Sequence, residues 1–254
     1  MSYYFLEISL PPLKIGARPE ISFEELVFRI EVNLRSSDLK KVGKLRELID
    51  LLNIRALLSG QKIDHRGNLS EKELDQALLV KDGFPQYVFD SLGRWETNSA
   101  KLQNFSALLA VFFKEEVKKA KGFLKQYFIF EREYRLVLAA LRAAQMGRDF
   151  AETLQFEELN DPFVAQILVQ KDTGRYEPPV EYAELKEIFI SSGPDAGKQH
   201  KAFTEWKFSR VEEMGLKPFS IDAILSYMVR LILVEDWQAL NEEKGKEALK
   251  ACAE

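Results

Sequence analysis

The chain is poor in the residues that most active-site chemistry requires. Its single cysteine, Cys252, sits in a charged C-terminal stretch, which excludes a disulfide framework or a cysteine-built metal site within one chain. The only histidines, His65 and His200, lie in polar surroundings with no second ligand at metal-binding spacing. Asp64-His65 reads as a solvated turn, with ion binding as the alternative. Serine catalysis would need one of these histidines beside an activated serine, and no nucleophile-elbow motif occurs. There is no dense Lys/Arg block, and the net charge of −4 argues against nucleic acid as a partner. Long apolar runs are also missing. Phe105–Phe113, interrupted by Ser106, falls well short of the roughly 20 residues a membrane-spanning helix needs. The opening MSYYFLEISLPPLKIG lacks the basic start of a signal peptide. These features lead to the expectation of a cytoplasmic protein with no catalytic residue, cofactor or metal.

What the chain does have is helix-forming sequence. It is 46% hydrophobic and 30% charged over 254 residues, enough for one large helical domain or several small lobes. The strongest stretch is Gly43–Gly60, GKLRELIDLLNIRALLSG, which is apolar around most of a helix. Its polar stripe, Arg46, Asp50 and Asn53, follows i, i+4, i+7 spacing and so shares one face. That stripe either faces water or is hydrogen-bonded internally, because a buried unpaired Asn or Asp is costly.

Around this stretch, Tyr3–Leu10 is aromatic and β-branched enough for a strand, ended by Pro11-Pro12. Ser22 with Glu25, and Ser70 with Glu73, are capping boxes that open helices; the first runs to about Leu34 and the second to Val80. Ser36-Ser37-Asp38 starts a helix that runs through, or kinks at, Gly43, and Gly60 fits its C-terminal cap. A long helical region is predicted from Ser99 to about Gln126, with Lys114–Lys121 as its solvated end. Phe128–Met146 is a second nearly all-round apolar helix, closed by Gly147, and Asp161-Pro162 splits the short helices after it. Thr173–Pro179 reads as a connector and Ser191–Pro194 as a linker. The last strong helix, Ile221–Leu240, follows Lys217-Pro-Phe-Ser220.

Two motifs tempt a chemical reading. Gly193-Pro-Asp-Ala-Gly197-Lys198 approximates a P-loop but has three residues between its glycines and Gln199 after the lysine, so it reads as a turn. The adjacent carboxylates Glu24-Glu25, Glu115-Glu116, Glu157-Glu158 and Glu242-Glu243 diverge on a helix and read as solvated faces. Trp95, Trp206 and Trp237 read as core residues, with an interface anchor as the alternative for Trp95.

The three most apolar helices, Leu45–Leu58, Phe130–Ala144 and Ile221–Val234, are spaced regularly enough to suggest a repeated helical unit. Asn53-Ile-Arg-Ala-Leu-Leu58 is echoed by Tyr134-Arg-Leu-Val-Leu-Ala139, and less closely by Tyr227-Met-Val-Arg230.

The order of features resembles the C/d-like family of V/A-type ATPase stalk proteins. The resemblance rests on Tyr3-Tyr-Phe-Leu6, Leu48-Ile-Asp-Leu-Leu-Asn-Ile-Arg-Ala-Leu-Leu58, Leu69-Ser-Glu-Lys-Glu-Leu74 with Gly83-Phe-Pro85, and Pro218–Tyr227. With Leu10-Pro-Pro-Leu13, the chain resembles still more closely a shorter family encoded beside V-type ATPase genes in chlamydiae and related bacteria. It departs from the C/d-like pattern in being much shorter, and in carrying Val234-Glu-Asp-Trp237 where that family has an Asn–Leu–Arg element.

The resemblance implies an all-α protein of three small helical lobes in a funnel, one of them reduced, with expected bounds of 1–98, 99–190 and 191–254. It implies a non-catalytic central-stalk socket that couples the central shaft to the proteolipid ring. Such a socket would be peripheral on the cytoplasmic face and touch the membrane only through the ring. The alternative is a helical assembly factor or adaptor for the same complex. Two readings of the polar stripe stay open: an Arg46–Asp50 pair with a structural Asn53, or a partner-binding cup lined by Arg46, Asn53 and Arg55. Arg135, Arg142 and Arg230 would be the equivalents of the cup residues on the other two helices.

Overall fold

The computed structural model describes residues 3–171, 175–193 and 195–253, with backbone only from 241 onward. The side chain of Cys252, residues 173–174 of the expected connector and Pro194 of the expected linker lie outside that description. The fold is all-helical, with no strand among the described residues. In chain order the helices are α1 (Tyr3–Ile8), α2 (Phe23–Asn33), α3 (Ser36–Leu58), α4 (Glu71–Val80), α5 (Gln86–Leu92), α6 (Asn98–Gln103) and α7 (Phe105–Lys119). Next come α8 (Gly122–Met146), α9 (Phe150–Thr153), α10 (Pro162–Leu168), a 3-10 turn (Val180–Tyr182), α11 (Ala183–Ser191), α12 (Ala196–Met214) and α13 (Ile221–Ala253).

Local chemistry accounts for most boundaries. Ser22 caps α2 by accepting from the Glu25 N–H at 3.2 Å, but the Glu25 carboxylate pairs with Arg29, so that box is half made. At α4 the Ser70–Glu73 box is complete. The helix α3 runs unbroken through Gly43, and Gly60 adopts φ +69° while the Gln61 N–H donates to the Ala56 carbonyl. Asp161 accepts from the Phe163 and Val164 N–H groups with Pro162 at the first helical position, a strong start for α10. In the stretch resembling a P-loop, Ala196-Gly197-Lys198 forms the first turn of α12, capped by Asp195 accepting from the Lys198 N–H at 3.0 Å.

Three expectations are corrected. Tyr3–Leu10 is not a strand: Tyr3–Ile8 is helical, with Leu6 buried and the Ser9 N–H closing on the Phe5 and Leu6 carbonyls. The predicted helix from Ser99 to Gln126 is three pieces, interrupted at Asn104 and again at Ala120–Lys121. Gly122, at φ +59°, lets α8 turn back along α7, so that Phe112 and Phe113 meet Phe128. Lys114–Lys121 is not all solvated, since Glu116 is only 3% exposed.

The described residues form two compact units. One comprises Met1–Leu39 and Ala183–Glu254, the other Lys40–Tyr182. In the first, α1, α2 and α12 surround the apolar face of α13 (Ile224, Leu225, Met228, Leu231 and Val234), all fully buried. The second is built on the α7–α8 hairpin and its edge-to-face phenylalanines, with ring centroids 5.3 Å apart for both Phe112–Phe113 and Phe112–Phe128.

Candidate functional site

The polar stripe of α3 faces inward. Asn53, 2% exposed, donates through Nδ2 to the Asp64 carbonyl at 2.8 Å and accepts the Asp64 N–H at 2.7 Å. Asp50, 1% exposed, accepts from the Asn68 amide at 2.7 Å and from the Leu69 N–H at 3.1 Å. Arg46 donates to the carbonyls of Arg66, at 3.0 Å, and Gly67. Side chains on one helical face therefore hold the 64–69 loop along its length, and that loop's backbone groups have no helix of their own to satisfy them. Gly67 is required by close approach: a Cβ there would stand 2.3 Å from Asp50 Oδ1.

Burial pushes the Asp50 carboxyl above its ordinary range, against the opposing pull of its hydrogen bonds to Leu69 and Asn68. At Asp64 desolvation also acts upward, but the bonds and charge of Arg66 outweigh it and the carboxyl is held low. Asp64-His65 is thus part of a structural clamp, with Asp64 spent on Arg66 and the α3 stripe.

A concavity lies in the same unit, between α7, α8 and residues 153–161. It is a half-open groove of about 290 Å³ floored by Ala110, Phe113, Ile129 and Phe156, and a smaller hollow of about 110 Å³ extends it toward Leu136 and Ala139. Charged residues form its rim. Arg132 holds Glu157 at 2.6 Å and Asp161 at 2.9 Å, and Lys114 pairs closely with Glu158. Burial works against the Arg132 charge, and the two carboxylates more than restore it. Glu157 is therefore not the solvated group the sequence suggested. Among the described residues, the lining offers the hydroxyls of Ser106 and Thr153 but no histidine or cysteine. The groove thus combines an apolar floor with a rim of paired charges.

The remaining candidate arginines sit in dissimilar places. Arg55 and Arg142 are exposed. Arg135 pairs with the buried Glu131 at 2.8 Å. Arg230, in the other unit, pairs with Glu212 at 2.5 Å and lies over the Phe208 ring. Asn53 and Tyr134, aligned by the sequence echo, also differ: Asn53 clamps a loop, whereas Tyr134 lies along the Phe130 ring.

The groove charges and buried Glu116 escaped sequence reasoning. Lys44 at 3.3 Å, Lys119 at 3.4 Å and the Tyr87 hydroxyl at 3.2 Å surround Glu116, so α3, α5 and α7 together supply its setting. Gly122, a lone glycine between the charged stretch Lys114–Lys121 and the apolar Phe123-Leu124, was the available signal that α7 and α8 are separate helices.

A family model described as "protein of unknown function (DUF2764)" matches residues 1–253. A Chlamydia muridarum protein is 30% identical over 254 residues, covering 97% of this chain and 96% of its own length. A Chlamydia trachomatis serovar D protein is 28% identical over 253 residues, covering 97% and 95%. A Chlamydia pneumoniae protein is 27% identical over 216 residues, covering 83% and 81%. All three are described as uncharacterised proteins, and no solved structure matches. The chain belongs to the DUF2764 family.

Proposed function

We propose that this member of the DUF2764 family is a non-catalytic helical adaptor, specifically the central-stalk socket of a V/A-type ATPase, joining the central shaft to the proteolipid ring. The observation that carries the adaptor reading is the use made of polar side chains. On α3 they hold a loop, and at the groove they are locked in ion pairs, an arrangement suited to stiffness and docking. The rotary assignment adds the sequence resemblance, centred on Leu48–Leu58 and Tyr3–Leu6. A part that transmits torque needs packed helices and a receiving surface, and no nucleophile or base.

In this reading the chain is cytoplasmic and peripheral, three-lobed and funnel-like in its assembled form. No helix among the described residues is long and apolar enough to cross a membrane. Since Asp50 and Asn53 are occupied with the 64–69 loop, the exposed Arg55 and Arg142 are the better candidates for meeting the shaft.

The test is a pull-down of tagged protein from gently detergent-solubilised membranes of the source organism, with co-purified proteins identified and counted. Catalytic, shaft and proteolipid components with one copy of this chain per complex are expected. Incomplete subassemblies alone would replace the socket with the assembly-factor alternative, and recovery of no ATPase component would overturn both.

A further inference from the structure

The unit formed by Met1–Leu39 and Ala183–Glu254 carries an apolar face that its own core does not use. On α2, Phe23, Leu26 and Ile30 face inward, whereas Phe28 (65% exposed) and Val32 point to solvent from the opposite side. The neighbouring α1 buries Leu6 and turns Phe5 (71% exposed) and Ile8 outward. The two helices are antiparallel neighbours. Tyr3, at the start of α1, bonds Asp38 just beyond the end of α2, while Arg29 of α2 donates to the Ser9 carbonyl just beyond α1.

A third element lies against α1. Phe219 sits at φ +53°, a conformation a bulky side chain adopts only when its surroundings impose it. The Glu7 carboxylate accepts its N–H at 2.6 Å, and the half-exposed ring rests 5.1 Å from that of Tyr4. This much clustered aromatic surface is more than scattered exposure accounts for.

Charge selects the occupant. Glu24 and Glu31 are exposed on the same side of α2 as Phe28 and Val32, and this unit contains 19 acidic against 14 basic side chains. An anionic lipid surface would be repelled. A second copy in a two-fold interface would set Glu24 and Glu31 against their own equivalents. A helix bearing Lys and Arg beside an apolar stripe would be attracted, and the i, i+4 spacing of Phe28 and Val32 suits a ridge of such a helix. We infer that the outer face of α1 and α2 is a docking strip for a basic amphipathic helix of a partner protein. The inference rests on this surface and holds whether or not that partner belongs to a rotary ATPase.

The experiment uses the full chain and a fluorescent synthetic amphipathic helix of Leu and Lys. Its controls are a Leu/Glu helix of the same pattern and a scrambled Leu/Lys peptide, with binding followed by anisotropy. The Leu/Lys helix is expected to bind about tenfold or more tightly than either control. Phe28→Ser combined with Val32→Ser should weaken binding about tenfold, and Glu24→Lys with Glu31→Lys several-fold, each with an unchanged helical circular dichroism spectrum. Equal binding of the Leu/Glu helix, or binding that ignores these variants, overturns the proposal. So does dimerisation in light scattering, or co-sedimentation with phosphatidylglycerol vesicles, that the Phe28/Val32 variant abolishes.

Discussion

The helices α3 and α8 read alike in sequence, each apolar almost all round with a few charges, yet they use those charges differently. The stripe on α3 bonds to loop backbone and is sealed from water, with Asp50 and Asn53 almost fully buried. On α8, Glu131, Arg132, Glu133 and Arg135 bond other side chains, mostly half-exposed, along or near the groove. A polar residue on an apolar helix therefore need not await a partner protein. Its depth, and whether it bonds backbone or side chain, decide whether it maintains the fold or shapes a surface.

The sharpest way to break that contrast is at Asn53. Asn53→Ala strands the Asp64 N–H and carbonyl, and should lower unfolding free energy by about 3 kcal/mol in urea denaturation. A loss no larger than that of a surface substitution would show the clamp to be incidental. Gly67→Ala pushes a methyl into Asp50 and should cost about 2 kcal/mol by the same measurement. Arg132→Ala should cost about 1 kcal/mol, and the loss should shrink in high salt, because its carboxylate partners are partly wetted. Salt sensitivity at Asn53 as well would erase the distinction. Arg55→Glu and Arg142→Glu should change stability by less than about 0.5 kcal/mol. If Arg55→Glu also leaves binding of the proposed shaft partner intact, that residue does not belong to the proposed socket.

The smallest effect concerns pH. Burial raises the Glu47 carboxyl of α3 above its ordinary 4.5, opposed by the bond to Lys44, and burial raises Glu133 of α8, opposed by the Tyr182 hydroxyl. Both native carboxyls hold their protons more tightly than in the unfolded chain. The stability each contributes is therefore complete below pH about 4.5 and is lost as pH rises through the native value. Glu47→Gln and Glu133→Gln should each make unfolding free energy fall less steeply between pH 4.5 and neutrality. A steeper fall in either variant would reverse the assigned direction at that helix.

Much of the fold was legible because its signals are local. The Ser70–Glu73 box, Gly60 and Gly147 as helix stops, Asp161-Pro162 as a helix start, and the i, i+4, i+7 stripe each act within a few residues of themselves. Tyr3–Ile8 was misread because its aromatic composition suits a strand, and a strand needs a neighbouring strand to complete its hydrogen bonds. The break before Gly122 was missed because apolar spacing continues across it.

By itself, then, the sequence determined a mostly helical chain, most helix ends and the shared face of Arg46, Asp50 and Asn53, since backbone sterics, capping and helical period operate over short spans. Only the tertiary structure decided that Met1–Leu39 packs with Ala183–Glu254, that Asp50 and Asn53 clamp the 64–69 loop, and that Glu157 and Asp161 close on Arg132. Those outcomes depend on desolvation and on partners distant in the chain, and neither burial depth nor a distant partner can be assigned until the helices are placed.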